Sequence, residues 1–116
     1  MAVEDGACVA KLLGLSASTG KASIPDALAL YERLRKDRTT LNVKGAVANR
    51  AVYHAADGED ADRRNTLLQD FDWDDDPRET PLSFNDREYQ KALLGFDVVA
   101  DAEAAFYREF AAVNGA

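Results

Sequence analysis

Residues 23–56 read SIPDALALYERLRKDRTTLNVKGAVANRAVYHAA. Ser23 followed by Ile24-Pro25-Asp26 is a helix start. It offers a small hydroxyl as cap, a proline in the first turn where its missing N–H costs nothing, and an acid three residues after the cap. From there Ile24, Ala27, Leu28, Tyr31, Leu34, Arg38, Leu41, Ala48 and Val52 keep one helical face. The pattern predicts a single helix from about 24 to 56, roughly 50 Å long at 1.5 Å per residue. A rod of that length is more than 116 residues can bury by themselves. The expected fold is therefore all-α: one long helix with shorter helices packed around it, extended or incomplete as an isolated domain. Gly45 is the expected position of any bend.

Outward from this stretch the chain keeps helical periodicity, and no segment alternates with period two. Ala2 to Leu13 forms a helix with Val3, Ala7, Ala10 and Leu13 on its apolar face and Gly14 as its stop. Only Met1 precedes that face, so the first turn lacks a capping side chain, as if the helix began upstream. Leu15 to Ala22 reads as a loop of small residues. Asp57-Gly58 ends the long helix, and Asp60 to Phe71 makes a shorter amphipathic one. Asp72 to Ser83 is an acidic, proline-containing loop. Asn85-Asp86-Arg87-Glu88 opens a helix through Leu94, and Gly95-Phe96-Asp97 interrupts it. A last helix from Ala100 to Val113 points Ala104, Phe106 or Tyr107, Phe110 and Val113 inward.

Composition narrows the functional classes. Apolar residues are 47% and charged residues 30% of the chain, an ordinary globular balance. With 14 basic against 21 acidic residues the net charge is −7, which argues against a nucleic-acid partner. The charge is segregated: Lys21–Arg50 carries seven basic and three acidic residues, Asp57–Asp76 nine acidic and two basic. A single cysteine excludes a disulfide framework and a multi-cysteine zinc site. Apolar runs stop at four or five residues, far short of the roughly 18 of a membrane span. Acid stands at the start, where a targeting peptide carries Lys or Arg. A reduced, cytoplasmic protein without a membrane partner is expected.

Few residues offer chemistry. His54, the one histidine, has no nucleophile signature around it and is expected to cap backbone carbonyls or cover a helix end. Cys8 is expected to be a buried, inert thiol. Asp70, Asp72, Asp74, Asp75 and Asp76 have EF-hand-like spacing, but no glycine follows the third acid, and Pro81 stands at the twelfth position. A solvated acidic loop is expected there instead, anchored by Trp73. Gly20-Lys21 lacks the spacing of a phosphate loop. Arg33, Arg35 and Arg38 lie within two turns and could clamp a phosphate or carboxylate, with ordinary salt bridges the simpler expectation. Glu4 and Asp5 suit the positive end of a helix dipole.

Together these pieces resemble one family. Met1 to Leu13 (MAVEDGACVAKLL) is similar to the A-x-E-D-A-x-x-L-A-x-x-L helix of FAD-dependent aromatic-ring monooxygenases, the salicylate-hydroxylase-like group. Ala27-Leu28, Tyr31-Glu32, Arg35 and Arg38 match its a-L-x-x-Y-E-x-x-R-x-x-R helix in order and spacing. His54 to Gly58 resembles the h-x-x-D-G that closes this helix. Asn85 to Asp97 (NDREYQKALLGFD) resembles the N-x-x-x-x-x-x-L-x-G-[YF]-D segment of fungal members. The likeness spans most of residues 1–110 and is weakest across the acidic loop.

The resemblance implies that residues 1–56 end an FAD-binding monooxygenase domain and that 57–116 form a carboxyl-terminal helical tail with the acidic loop 72–83. It implies FAD and NAD(P)H as the family's cofactors and an aromatic small molecule as substrate. The family's flavin-contacting glycines precede the A-x-E-D helix, so it assigns no catalytic, cofactor-binding or metal residue to this chain. Glu4, Asp5, Arg35 and Arg38 take packing or orienting roles. Alone, the chain is expected to bind no cofactor and to be inactive, its partner a missing amino-terminal flavin domain or a second copy. The alternative is a small stand-alone helical interaction or dimerisation module, or, failing both, an unrelated helical enzyme or metal binder using the acidic loop.

Overall fold

A computed structural model describes residues 1–70 and 86–110. Among the described residues there are five helices and no strand: α1 (Ala2–Thr19), α2 (Ile24–Tyr53), α3 (Glu59–Gln69), α4 (Arg87–Leu94) and α5 (Val98–Phe110). The all-α expectation holds. The chain divides into two compact units, one of Met1–Leu41 with the chain from Asp97 onward, the other Asn42–Phe96.

The start of α2 is the capping box read from the sequence. The Ser23 hydroxyl lies 2.6 Å from Asp26 Oδ2 and accepts the Asp26 amide at 3.2 Å, while the Ser23 amide donates to Asp26 Oδ2 at 3.3 Å. Those reciprocal bonds satisfy donors that a bare helix start leaves to water. The helix then runs 30 residues without a break, stopping at Tyr53, three residues short of the expected end.

In the first unit α1 packs on α5 and α2 supplies the third wall. Cys8 and Leu12 from α1, Ala27 and Leu30 from α2, and Ala102, Ala105, Phe106 and Phe110 from α5 form one buried cluster. Phe106 and Phe110 pack one turn apart with their rings tilted 58° to each other, centres 5.0 Å apart. Outside this cluster Lys11 pairs with Glu103 at 2.6 Å, and Arg33 pairs with Glu109.

Helix α1 corrects two expectations. It passes through Gly14 and ends at Gly20, whose φ of 64° gives the left-handed turn that closes the helix with its N–H on Ser16 O. The stretch expected to be a loop stays helical because Leu13 and Leu15 pack against the core and Ser16 is buried, while its hydroxyls find acceptors on their own helix. Ser16 Oγ donates to Leu12 O at 2.9 Å and Thr19 Oγ1 to Leu15 O at 2.6 Å. Its inward face is Cys8, Leu12 and Ser16, whereas Val3 on the expected face is 87% exposed.

The other faces shift in the same way. On α2 the buried positions are Ala27, Leu30 and Arg35, while Ile24, Leu28 and Leu41 of the expected stripe are exposed and Leu34 is half-buried. On α5, Ala102, Ala105, Phe106 and Phe110 turn inward and Ala104 is exposed. That helix begins two residues early because Asp97 Oδ1 accepts the amides of Val99 at 3.1 Å and Ala100 at 2.9 Å. Val113 lies outside the described residues.

In the second unit Asp86 caps α4, its Oδ1 accepting the Tyr89 amide at 2.9 Å; Asn85 lies outside the described residues. Gly45 interrupts nothing in α2. The Tyr89 hydroxyl sits where a Cβ at position 45 would come within 2.8 Å, so the missing side chain admits α4's tyrosine.

Three substitutions test this packing. Leu12→Ala should lower unfolding stability by about 2–5 kcal/mol, as for a fully buried leucine, while Val3→Ala should leave it nearly unchanged. Gly14→Ala, with open space around it, should raise stability by about 0.5–1 kcal/mol, because alanine costs less backbone entropy inside a helix. Chemical denaturation followed by far-ultraviolet circular dichroism measures all three, and a loss at Gly14→Ala would restore the early helix stop.

Candidate functional site

Among the described residues, α1 and the first half of α2 build a cluster of polar groups drawn away from water. One turn into α1, Glu4 and Asp5 face α2, where Arg35 and Arg38 project one turn apart towards them. Arg35 Nε donates to Asp5 Oδ1 at 2.7 Å, and Arg35 Nη2 to Glu4 Oε2 at 2.9 Å. Arg38 takes both oxygens of Glu4, Nε to Oε2 at 2.7 Å and Nη2 to Oε1 at 2.8 Å. This is the forked geometry that makes a guanidinium–carboxylate pair strong. The Arg35 side chain is 4% exposed, against 24% for Glu4 and 27% for Asp5.

The electrostatics follow from this geometry. The Arg38 fork holds the Glu4 carboxyl down at about 2, working with the Arg35 bond against the burial that would raise it. Burial acts to lower the pKa of Arg35, but the bonds to Asp5 and Glu4 outweigh it and leave the guanidinium more firmly charged. One donor has no partner: Arg35 Nη1 is buried and unbonded. Arg35 Nη2 also lies 3.5 Å from Met1 Sδ.

Chemically the cluster is closed. Two cations meet two anions, and the nucleophile near them, the Cys8 thiol, is buried with its pKa raised, chiefly by burial. The expected pairing of arginines with carboxylates is what the fold builds, with one change: Arg33 leaves the set and pairs with Glu109 on α5. Glu4 and Asp5 do lie in the first turn of α1, where negative charge suits the dipole, but their direct partners are the α2 arginines. The partnership was not readable from α1 by itself, because the polar end of a buried stripe carries no hydrophobic signal.

Of the remaining candidates, Cys8 lies close enough to the cluster for Arg35 and Asp5 to act on its thiol. Cys8 is buried and its thiol is pushed up, chiefly by burial, with Asp101 and Asp5 adding and Arg35 opposing, so it is held as an unreactive thiol. His54 is exposed and only its amide closes the last turn of α2, on Arg50 O at 3.0 Å. The carbonyl-capping role expected of its ring falls to Arg64, whose Nη1 donates to Val52 O at 3.0 Å. Asp70 ends α3; Asp72, Trp73, Asp74, Asp75 and Asp76 lie outside the described residues. Among the described residues no group of acids, histidine and cysteine is arranged to hold a metal, and no helix is long and apolar enough to cross a membrane.

The cluster should show in the acid limb of stability. Because the folded Glu4 carboxyl lies below its usual 4.5, its contribution is complete above that value and is lost as pH falls towards about 2. Up to about 3 kcal/mol is at stake at one pKa unit per 1.36 kcal/mol. Glu4→Gln should flatten the slope of stability between pH 5 and 2, and unfolding titrations at a series of pH values measure it. Arg35→Ala should cost about 1–3 kcal/mol at neutral pH by leaving the half-buried Asp5 without its partner, and Arg35→Lys should recover little of it, lacking the fork.

No protein-family model matches the chain, and no solved structure does. FAD-dependent monooxygenase OpS4 of Beauveria bassiana (strain ARSEF 2860) is 33% identical to it over 105 residues, 90% of this chain. Those residues are 23% of the relative. The chain thus spans about a quarter of the relative's length, and the similarity is that of a segment of a fungal FAD-dependent monooxygenase.

Proposed function

We propose that the chain is the carboxyl-terminal helical segment of an FAD- and NAD(P)H-dependent monooxygenase that hydroxylates an aromatic substrate, in the salicylate-hydroxylase-like group, and that it is inactive by itself. The observation that carries this reading is the correspondence between motif and contact. Glu4 and Asp5 are the acids of the resembled A-x-E-D helix, Arg35 and Arg38 the cations of the resembled Y-E-x-x-R-x-x-R helix, and they bind one another. Similarity at 33% over 90% of the chain supports it from the sequence side. On this reading the motifs mark a clasp between two helices, and the segment's work is to hold them in register beside a flavin-binding part.

The described residues do not fit the flavin itself. A dinucleotide pyrophosphate needs a glycine-rich turn whose amides open a helix. Gly20 closes a helix rather than opening one. Gly58 does open α3, but Glu59, Asp60 and Asp62 fill its first turn and would repel a phosphate. The buried arginine donors are bonded to carboxylates, and the one unbonded donor, Arg35 Nη1, is sealed from solvent. FAD and the nicotinamide therefore belong, in this proposal, to residues other than these.

The reading is tested at two levels. The genomic DNA directly upstream of the Met1 codon should encode, in frame, a G-D-A-x-H segment and, further upstream, a glycine-rich strand-to-helix turn. The purified chain should be colourless and should not quench FAD fluorescence on titration. Saturable binding in the micromolar range, about −8 kcal/mol, would overturn the assignment of the flavin to other residues, and an upstream frame without those motifs would overturn the lineage.

A further inference from the structure

The two halves of α2 differ in composition. From Ala27 to Arg38 the helix is alanine, leucine, glutamate, lysine and arginine apart from Tyr31 and Asp37, residues that lose little on entering a helix. From Thr39 to Asn49, seven of eleven residues rank low as helix formers: Thr39, Thr40, Asn42, Val43, Gly45, Val47 and Asn49, with Gly45 the lowest. Tertiary support changes at the same place. The buried residues of α2 are Ala27, Leu30 and Arg35, and none lies beyond Arg35. Past Arg38, which forks onto Glu4 of α1, Thr40 and Leu41 are exposed, and Val43 and Val47 are each 64% exposed. The half-buried positions of this second half, Asn42, Gly45, Asn49 and Val52, form one stripe at spacings of three and four. Of these only Val52 brings an apolar side chain, and Gly45 serves as a seat for the Tyr89 hydroxyl. At the junction, Thr39 Oγ1 reaches back to Arg35 O at 2.9 Å and Lys36 O at 3.1 Å, a local bond that weakens and bends a helix. The boundary between the two compact units falls inside α2, between Leu41 and Asn42.

We propose that α2 is one helix with two stabilities: residues 42–53 pass locally between order and disorder while 24–38 stay closed, and the turn Thr39–Asn42 is the point of opening. Short helical segments persist in water chiefly through a packed apolar face, and the second half of α2 has little of one. Opening it releases a stripe of two asparagines, a glycine and a valine. Opening the first half would instead unseat Leu30 from the core and part Arg35 from Asp5 and Glu4. The first half is therefore tied to the folding of its whole unit, whereas the second opens at a lower free energy of its own. Order–disorder of a segment is a recurrent way of building a switch. Here the change is confined to the half of α2 that leaves the Arg35 cluster undisturbed. The proposal rests on composition and burial and does not depend on the monooxygenase reading.

Amide hydrogen exchange of the full chain, read by mass spectrometry, tests this. Residues 43–53 should exchange about a hundredfold or more faster than residues 27–35. Val43→Ala and Val47→Ala, both at exposed sites, should each slow exchange in 43–53 about threefold by raising helix propensity, with no change in 27–35. Leu30→Ala should speed exchange in 27–35 and in α1 and α5 while leaving 43–53 as it was. Glu4→Gln, a milder disturbance of the first unit, should do the same on a smaller scale, and circular dichroism checks that both variants keep the fold. Equal protection along the whole of α2 would overturn the proposal. So would valine substitutions that leave 43–53 unchanged, or acceleration of 43–53 in step with 27–35 in Leu30→Ala or Glu4→Gln, the mark of one cooperative helix.

Discussion

Arg35 is the buried charge on which the first unit turns. A guanidinium can leave water only if carboxylates and good geometry replace its hydration. Asp5 and Glu4 do this from one side of the contact, at 2.7 and 2.9 Å. That requirement fixes the rotation of α1 about its own axis: to bring both acids onto Arg35, α1 must turn Cys8, Leu12 and Ser16 inward and Val3 out to solvent. The same constraint sets the register of α1 along α2, since a slide of one turn would strand a buried charge. Arg38 then locks Glu4 with a second fork.

The apolar cluster does the complementary work. Leu12, Leu30, Phe106 and Phe110 bring together residues from three helices and provide the non-directional part of the stabilisation. Burial by itself would tolerate several rotations of α1, because Val3, Ala7 and Ala10 could also have formed a face. Charge decides among them. The pairs Lys11–Glu103 and Arg33–Glu109 then tie α5 to the other two helices from the exposed side, where ion pairs contribute little energy but disfavour alternatives.

The same division explains what similarity to a flavin enzyme segment can mean for 116 residues. Motif residues in this stretch are engaged in holding helices to one another, and a fold element carries function only through the groups it positions. Glu4, Asp5, Arg35 and Arg38 are consumed by their mutual bonds.

Much of this was legible in the chain itself. The Ser23 capping box, the long α2 and the opening of α4 at Asp86 follow from local backbone chemistry, which each short segment carries within itself. The extension of α1 to Thr19 was not legible, since a run of small hydroxyl residues reads as a loop and only the packing of Leu13 and Leu15 on the core carries the helix past Gly14 to Gly20. Helix faces were not. Hydrophobic periodicity ranks faces by apolar content, and it misses a face that begins with an acid pair and ends with a serine, with Cys8 and Leu12 between them. Burial of Arg35, exposure of Ile24 and Val3, and replacement of His54 by Arg64 at the α2 terminus depend on which distant group arrives to bond or to cover. A sequence sets which backbone hydrogen bonds close locally; which side of a helix leaves water is set only when another helix, thirty residues away in the chain, brings the opposite charge.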